Sequence, residues 1–168
     1  LSGGTRTLTA STVNFGTTVA GESNALIITG ALNLDGAATG LSTLSVSTTS
    51  NLGANVTTSS TQNYSGAVTL STDTTLTTTD SNVTFGSTVD GDGTARDLII
   101  NTGGTTGTIQ FVNTVGANDD LDAITITGNL NLDAAISNTT SLSVSGTSNL
   151  GANVTTSSTQ TYTGAVTL

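Results

Sequence analysis

The sequence predicts an all-β fold, a β-solenoid of about nine coils with roughly 18 residues in each coil. Three observations favour this fold. Of 168 residues, 40 are Thr, a β-branched residue that suits a pleated surface. The apolar residues are mostly Val, Ile and Leu, and they alternate with Thr, Ser and Asn. Equivalent apolar residues also recur at a fixed spacing. Twenty Gly and 15 Asn supply the corners between short strands.

The fixed spacing is 18 residues. It relates the members of four sets: Leu34, Leu52 and Leu70; Leu132, Leu150 and Leu168; Ile28, Val46 and Tyr64; Ile126, Val144 and Tyr162. Two or three strands with their corners use about this number of residues, so each period is one coil. A coil buries few apolar side chains by itself, and it is therefore stabilised by stacking on its neighbours. Phe15, Phe85 and Phe111 are expected to share one position in further coils, because each is followed four residues later by Val.

A longer repeat lies above this period. The segment SNLGANVTTSSTQNYSGAVTL, which begins at Ser50, recurs almost unchanged from Ser148, 98 residues later (148 − 50). Further upstream, residues 1–15 resemble residues 70–85. The matches divide the chain into copies 1–69 and 70–168, the second with an extra coil near 93–120. We expect one solenoid segment, excised from a longer array.

Composition excludes several functions. The chain has no His, Cys or Lys, which removes an imidazole base, a thiol nucleophile and a Cys/His zinc site. We therefore expect no catalytic residue and no enzyme activity. The net charge of −9 disfavours nucleic acid as a partner. Membrane insertion is not expected, because no run reaches the ~18 apolar residues of a membrane helix.

Two acidic clusters are candidate metal ligands. They follow Val89 and Val115, so stacked coils would bring them side by side, and their members are Asp90, Asp92, Asp97, Asp119, Asp120 and Asp122. Oxygen ligands alone suit Ca²⁺. The alternative is a solvated acidic corner near Arg96 that keeps the protein soluble. No other cofactor is expected.

Polar residues on the strands have structural and functional interpretations. Five Asn precede core positions and are expected to hydrogen-bond along the rod: Asn14, Asn33, Asn51, Asn131 and Asn149. The alternative is a polar strip that binds glycan. Thr-x-Thr pairs such as Thr125/Thr127 would suit an ice-binding face if they aligned on successive coils. Tyr64 and Tyr162 are expected in the core or at a corner, with their hydroxyl groups reaching solvent.

Segments such as TLTTTDSNVTFGSTVDG (75–91) and TQNYSGAVTLSTDTTL (61–76) resemble the β-strand repeats of very large bacterial surface adhesins, the filamentous-haemagglutinin-like and autotransporter passenger proteins. The resemblance covers nearly the whole chain. It implies a right-handed parallel β-helix, export across the outer membrane, and a role as a stalk or adhesive fibre. It carries over no catalytic residue.

These observations predict a structural or adhesive repeat segment of an extracellular fibre at the cell surface. The segment would act as a stiff spacer and would assemble end-to-end with identical neighbouring repeats or chains. Cell adhesion through a glycan or another surface receptor is a further possibility. The alternatives are an ice- or surface-binding solenoid and, less favoured, a polysaccharide-cleaving β-helix enzyme, for which only Arg96 lies near acidic residues.

Overall fold

A computed structural model describes residues 4–104 and 106–168, so the first residues of the copy 1–69 lie outside the described part. The chain is all-β, without a helix that is long and apolar enough to cross a membrane in the described residues. The strands are β1 (Arg6–Phe15), β2 (Val19–Ala20), β3 (Leu26–Leu34), β4 (Ala38–Leu41), β5 (Leu44–Val46), β6 (Ser50–Leu52), β7 (Val56–Thr58), β8 (Gln62–Tyr64), β9 (Val68–Leu70), β10 (Thr74–Thr77), β11 (Val83–Phe85), β12 (Val89–Asp90), β13 (Arg96–Asn101), β14 (Thr108–Phe111), β15 (Leu121–Thr127), β16 (Asn129–Leu132), β17 (Ile136–Val144), β18 (Ser148–Leu150), β19 (Val154–Thr156), β20 (Gln160–Tyr162) and β21 (Val166–Thr167).

The strands pair in parallel with their equivalents in neighbouring coils and build a right-handed β-solenoid of about eight turns. The predicted fold is therefore confirmed, with one coil fewer than the nine expected. In a regular coil, Leu26, Leu32 and Ala38 lie six residues apart and mark three faces of the rod. The first two faces are formed by β3, which bends between them, and the third is formed by β4. Inward residues alternate with outward ones along each strand, as a pleat requires.

Each face contributes a ladder of inward side chains. On the first face the rungs are Leu8, Ile28, Val46, Tyr64, Phe85, Phe111, Leu132 and Leu150. On the second face they include Val13, Leu32, Ser50, Val68, Val89, Val115, Ile136 and Val154. On the third face they are Val19, Ala38, Val56, Leu76, Ile100, Ile126, Val144 and Tyr162. Together, the stacked ladders of inward side chains on the three faces form the core of the rod.

The predicted 18-residue register is confirmed where the coils are regular. Leu52 pairs with Leu34 in the preceding coil and with Leu70 in the following one, and all three side chains are at most 1% exposed. The coils then widen. From Phe85 to Phe111 the step is 26 residues (111 − 85), and the additional residues lie in loops outside the stacked strands.

One expected equivalence is wrong. Phe85 and Phe111 stack on the first face, with ring centroids 5.1 Å apart and planes 11° apart. Phe15, however, pairs with Leu34 on the second face. The four-residue spacing to the next Val marks the step from one face to the next, and this step occurs at every corner. The motif therefore identifies a corner and leaves the face undetermined.

The two long copies lie one face out of step. Ile126 matches Ile28 in sequence, yet Ile28 is on the first face and Ile126 is on the third. Five full coils separate Ile28 from Leu132, which is 104 residues (132 − 28). The sequence repeat of 98 residues falls six residues short, and six residues make one face. Identical sequence therefore forms different faces in the two copies.

Gly30 turns the chain from the first face to the second. Its φ is +142°, and a Cβ there would overlap the carbonyl oxygen of Ala10 in the preceding coil. Only Gly combines this backbone conformation with such a close approach. Gly128, its equivalent in the second copy, has a φ of +146° and makes the corner between the third face and the first.

Candidate functional site

The last coil exposes apolar side chains that its sequence equivalent buries. Val166 is 43% exposed and Leu168 is 96% exposed, whereas their equivalents Val68 and Leu70 are 1% and 0% exposed. The difference arises because β7, β8 and β9 each have a strand on both sides, while β19, β20 and β21 have one on a single side in the described residues. We call β19, β20 and β21 the C-terminal edge.

The first coil contains β1 and β2. β1 pairs with β3, and β2 pairs with β4. Leu8, Val13 and Phe15 pack on the core from one side and stay half-buried.

Tyr64 and Gln62 form a buried polar pair in the coil that is equivalent in sequence to the C-terminal edge. Tyr64 is 0% exposed, and its hydroxyl donates to Gln62 Oε1 at 3.0 Å. Gln62 Nε2 donates to the carbonyl oxygen of Thr77, in the next coil, at 2.9 Å. Burial raises the pKa of Tyr64. The expectation that its hydroxyl reaches solvent is therefore wrong, because the inward Gln62 supplies a partner inside the core.

The second copy repeats this pair at the C-terminal edge. The Tyr162 hydroxyl donates to Gln160 Oε1 at 3.2 Å, and Gln160 Nε2 donates to the Val154 carbonyl oxygen at 3.1 Å. Here Tyr162 is half-buried and Gln160 is exposed. Burial raises the pKa of Tyr162 as well. The hydrogen bond between Tyr and Gln thus forms within one coil. In the first copy, the following coil adds the Thr77 carbonyl oxygen that accepts from Gln62.

The acidic loops lie side by side, as the sequence indicates. Val89 pairs with Val115, and the Gly91 amide donates to the Asp119 carbonyl oxygen at 3.3 Å. Their carboxylates do not converge, however. Asp92 forms a two-pronged ion pair with Arg96, at 3.0 and 2.9 Å, and the hydrogen bond from Arg96 lowers the pKa of Asp92.

The other candidate ligands face different partners. Asp90 is 7% exposed and accepts two hydrogen bonds from Asn118, at 3.0 and 2.9 Å. Asp97 accepts from the Ala123 amide at 3.0 Å. Asp119, Asp120 and Asp122 are exposed. No group of three or more acidic residues with a metal-holding arrangement occurs in the described part of the chain. The Ca²⁺ site stays a prediction of the sequence.

Sequence reasoning missed Asp80, which anchors the loop of the wide coil. Its Oδ1 accepts from the Thr106 amide at 3.0 Å, from the Thr106 hydroxyl at 2.8 Å and from the Gly107 amide at 3.3 Å. The hydrogen bond from the Thr106 amide is the main cause that lowers the pKa of Asp80. Asp80 has a positive φ of 47°. No sequence motif marks this role.

The predicted hydrogen bonds between Asn side chains along the rod are confirmed for two pairs. Asn51 Nδ2 donates to Asn33 Oδ1 at 2.7 Å, and Asn149 Nδ2 donates to Asn131 Oδ1 at 2.8 Å. The first pair lies on the second face and the other on the first face, which again reflects the shift by one face. These bonds run along the rod axis and engage the amides with one another.

The pair Thr125/Thr127 lies on the third face and does not recur on the adjacent coils. Thr125 and Thr127 pair with Ile99 and Asn101 in the preceding coil, and Thr125 pairs with Ser143 in the next. Thr pairs therefore alternate with other residues, so this face lacks the continuous Thr array that the ice-binding alternative needs.

A shallow groove of about 340 Å³ lies beside the acidic loops. Its wall includes Asp120, Asn138, Thr140 and Thr155, all exposed. Hydroxyl, amide and carboxylate groups can hydrogen-bond a sugar. The five aromatic residues of the chain are absent from this groove, so it offers no ring on which a sugar could stack.

In comparisons with known proteins, no protein family, no curated protein and no solved structure matches the chain.

Proposed function

We propose that this chain is a structural repeat segment of an extracellular bacterial fibre or giant surface adhesin, where it acts as a stiff rod-like spacer. The supporting observation is the unbroken parallel stacking of its coils, in which Leu34, Leu52 and Leu70 lie one above another. Backbone hydrogen bonds between coils run along the rod, so axial load falls on many bonds together.

The surface chemistry supports a passive spacer. The net charge of −9 keeps neighbouring rods apart laterally, and hydroxyl and amide groups cover much of the outer surface. Hydrogen bonds such as Asn51 to Asn33 fasten outward side chains to one another across coils. A receptor-binding role would use the groove at Asp120, with glycan as the chemically suitable partner.

Small-angle X-ray scattering on the monomer tests the rod. Eight coils at ~4.8 Å each predict an axial length of about 40 Å, with a cross-section set by three short strands. Scattering from a sphere, or from an expanded chain, would contradict a spacer role.

Surface exposure needs a second test. Antibodies raised against the folded chain should label intact source cells without permeabilisation, and externally added protease should remove this label. Labelling that appears only after lysis would contradict the extracellular location. The ice-binding alternative predicts thermal hysteresis in solution and stays open to that measurement.

A further inference from the structure

A further polar groove lies on the third face, between coils that have neighbours on both sides. Its volume is about 170 Å³. Leu41 and Thr58, at 1% and 2% exposed, form its floor, and Thr57, Ser59 and Thr79 are exposed on its walls. The floor belongs to β4 and β7, each of which pairs with a strand on either side. We call this groove the first groove, and the groove beside the acidic loops the second groove.

A β-bulge accompanies the first groove. Ala38 pairs with Val56 and Leu41 pairs with Thr58, so β4 has one residue more than β7 between the two pairs. Gly40 lies in this bulge and has a φ of +63°. A bulge bends its strand and interrupts the ladder of the sheet. The groove therefore lies where the flat surface of the third face is broken.

The second copy repeats this bulge 98 residues later (138 − 40). Ile136 pairs with Val154 and Thr139 pairs with Thr156, again with one additional residue in the first strand of the pair. Asn138 lies in the bulge with a φ of +48°, and Asn is one of the few residues other than Gly that adopt this conformation. Asn138 also lines the second groove.

The two grooves are thus equivalent in sequence, although they lie on different faces. The same backbone hydrogen bond forms beside each of them. The Ser59 amide donates to the Leu41 carbonyl oxygen at 2.8 Å, and the Ser157 amide donates to the Thr139 carbonyl oxygen at 2.9 Å. Because the bulge and the groove persist through the shift by one face, the local sequence builds them, whichever face it forms.

The groups that line the grooves select a neutral ligand rich in hydroxyl groups. The first groove offers Ser and Thr hydroxyls, and the second adds the Asn138 amide and the Asp120 carboxylate. Among the described residues that line either groove, none is a cation that would attract phosphate or an acidic sugar, and the net charge of −9 repels anions. Hydroxyl and amide groups both donate and accept hydrogen bonds, as the hydroxyl groups of a neutral sugar do.

The volume of the first groove limits the size of this ligand. At ~30 Å³ for each water molecule, 170 Å³ holds roughly five or six waters, which is the space of a single sugar ring. Pockets that enclose a drug-sized ligand have about 300–1,000 Å³. With few hydrogen bonds and no aromatic ring to stack on, we expect a dissociation constant of about 1 mM.

We propose that each groove binds one pyranose ring of a neutral glycan, so that the sequence repeat supplies two equivalent sugar sites one face apart. The inference deepens the receptor-binding role in the proposed function, on which it rests, by naming the class of ligand and a second site. Because the two sites face different directions, a flat glycan-covered surface engages one groove of a chain at a time.

A titration followed by amide chemical shifts in nuclear magnetic resonance tests both sites. The probes are the methyl pyranosides of glucose, galactose, mannose and N-acetylglucosamine, added to the folded chain in the millimolar range. At least one probe should give saturable shifts at the amides of Gly40 and Ser59 and, equally, at those of Asn138 and Ser157. Glucuronic acid, an anionic sugar of similar size, should give none.

Substitutions by Val assign the shifts to the grooves, because Val keeps the branched shape of Thr and removes the hydroxyl. Thr57→Val should raise the dissociation constant at the first groove about threefold or more and leave the second groove unchanged. Thr155→Val should do the reverse. The control is Thr39→Val, which alters an exposed residue of the third face outside the first groove and should affect neither site.

The outcomes separate this inference from the spacer role. A chain that scatters as a 40 Å rod but shows no saturable shift at either groove with any probe would overturn the inference and leave the spacer role standing. Shifts that Thr39→Val weakens as much as Thr57→Val does would also overturn it. Saturable shifts at both grooves in a chain that does not scatter as a rod would support the sugar sites and contradict the spacer role.

Discussion

Leu34 and Leu132 occupy the same place in the two sequence copies, yet Leu34 pairs with Leu52 on the second face and Leu132 pairs with Phe111 on the first. The same local sequence therefore builds any face of this solenoid. The six-residue unit carries the folding information, and the lengths of the intervening loops decide which face each unit joins.

Replacing Gly30 by Ala should destabilise the protein by about 2 kcal/mol or more, because the new Cβ combines a φ of +142° with overlap of the Ala10 carbonyl. Chemical denaturation followed by circular dichroism measures the change. Gly16→Ala is the control, since its Cβ would meet open space, and its stability should match the wild type. Equal effects at the two sites would refute the steric account.

Tyr64→Phe removes the hydroxyl that donates to Gln62 Oε1 and leaves that buried oxygen without its donor. The expected loss in unfolding free energy is about 1–3 kcal/mol. Tyr162→Phe makes the same change at a half-buried site, where water replaces the donor, and it should cost less. Thermal melts of the two variants compare the sites, and a larger loss at Tyr162 would contradict the buried pair.

Ser50→Ala should stabilise the fold by about 1 kcal/mol. The Ser50 hydroxyl is buried and has no hydrogen-bond partner, so it bears a desolvation cost without compensation. Ser148 has the same buried, unpaired hydroxyl and should respond in the same direction. The control Ser143→Ala alters an exposed residue and should be neutral. A clear destabilisation by Ser50→Ala would show that the hydroxyl has a partner.

Acid should destabilise the loop that Asp80 anchors. Because hydrogen bonds from Thr106 lower the pKa of Asp80 in the folded state, the protein binds fewer protons there than the unfolded chain does. The resulting stability is present above the unfolded pKa of about 3.9 and is lost as the pH falls through the lower folded pKa.

Asp80→Asn removes this ionisation while it keeps one acceptor oxygen. Melting temperatures measured from pH 7 to pH 2 should show a smaller decline for Asp80→Asn than for the wild type. Asp119→Asn controls for the loss of one exposed negative charge. Identical acid profiles for Asp80→Asn and the wild type would contradict the anchoring role.

The sequence predicted the stacking because the 18-residue spacing of Leu34, Leu52 and Leu70 equals one full coil in the first copy. It did not distinguish the faces. Units on all three faces share the same alternation of inward and outward residues, so no residue marks a face, and Phe15 was placed with Phe85 because of a motif common to all corners.

The sequence predicted the side-chain contacts of the candidate site less completely than it predicted the fold. Alternation along β8 puts Gln62 on the same inward side as Tyr64, and this signal could have predicted the buried pair. The adjacency of the acidic loops followed from stacking of Val89 on Val115. The individual partners of their carboxylates depend on turn conformations, which the sequence does not specify.

Methyl and aromatic nuclear Overhauser effects in the monomeric chain test the stacked, face-shifted solenoid most directly. The structure predicts strong contacts from Leu52 to both Leu34 and Leu70, and from Leu132 to the ring of Phe111. Absence of the Leu52 contacts would contradict the solenoid. Leu52 contacts without the contact between Leu132 and Phe111 would contradict the shift by one face.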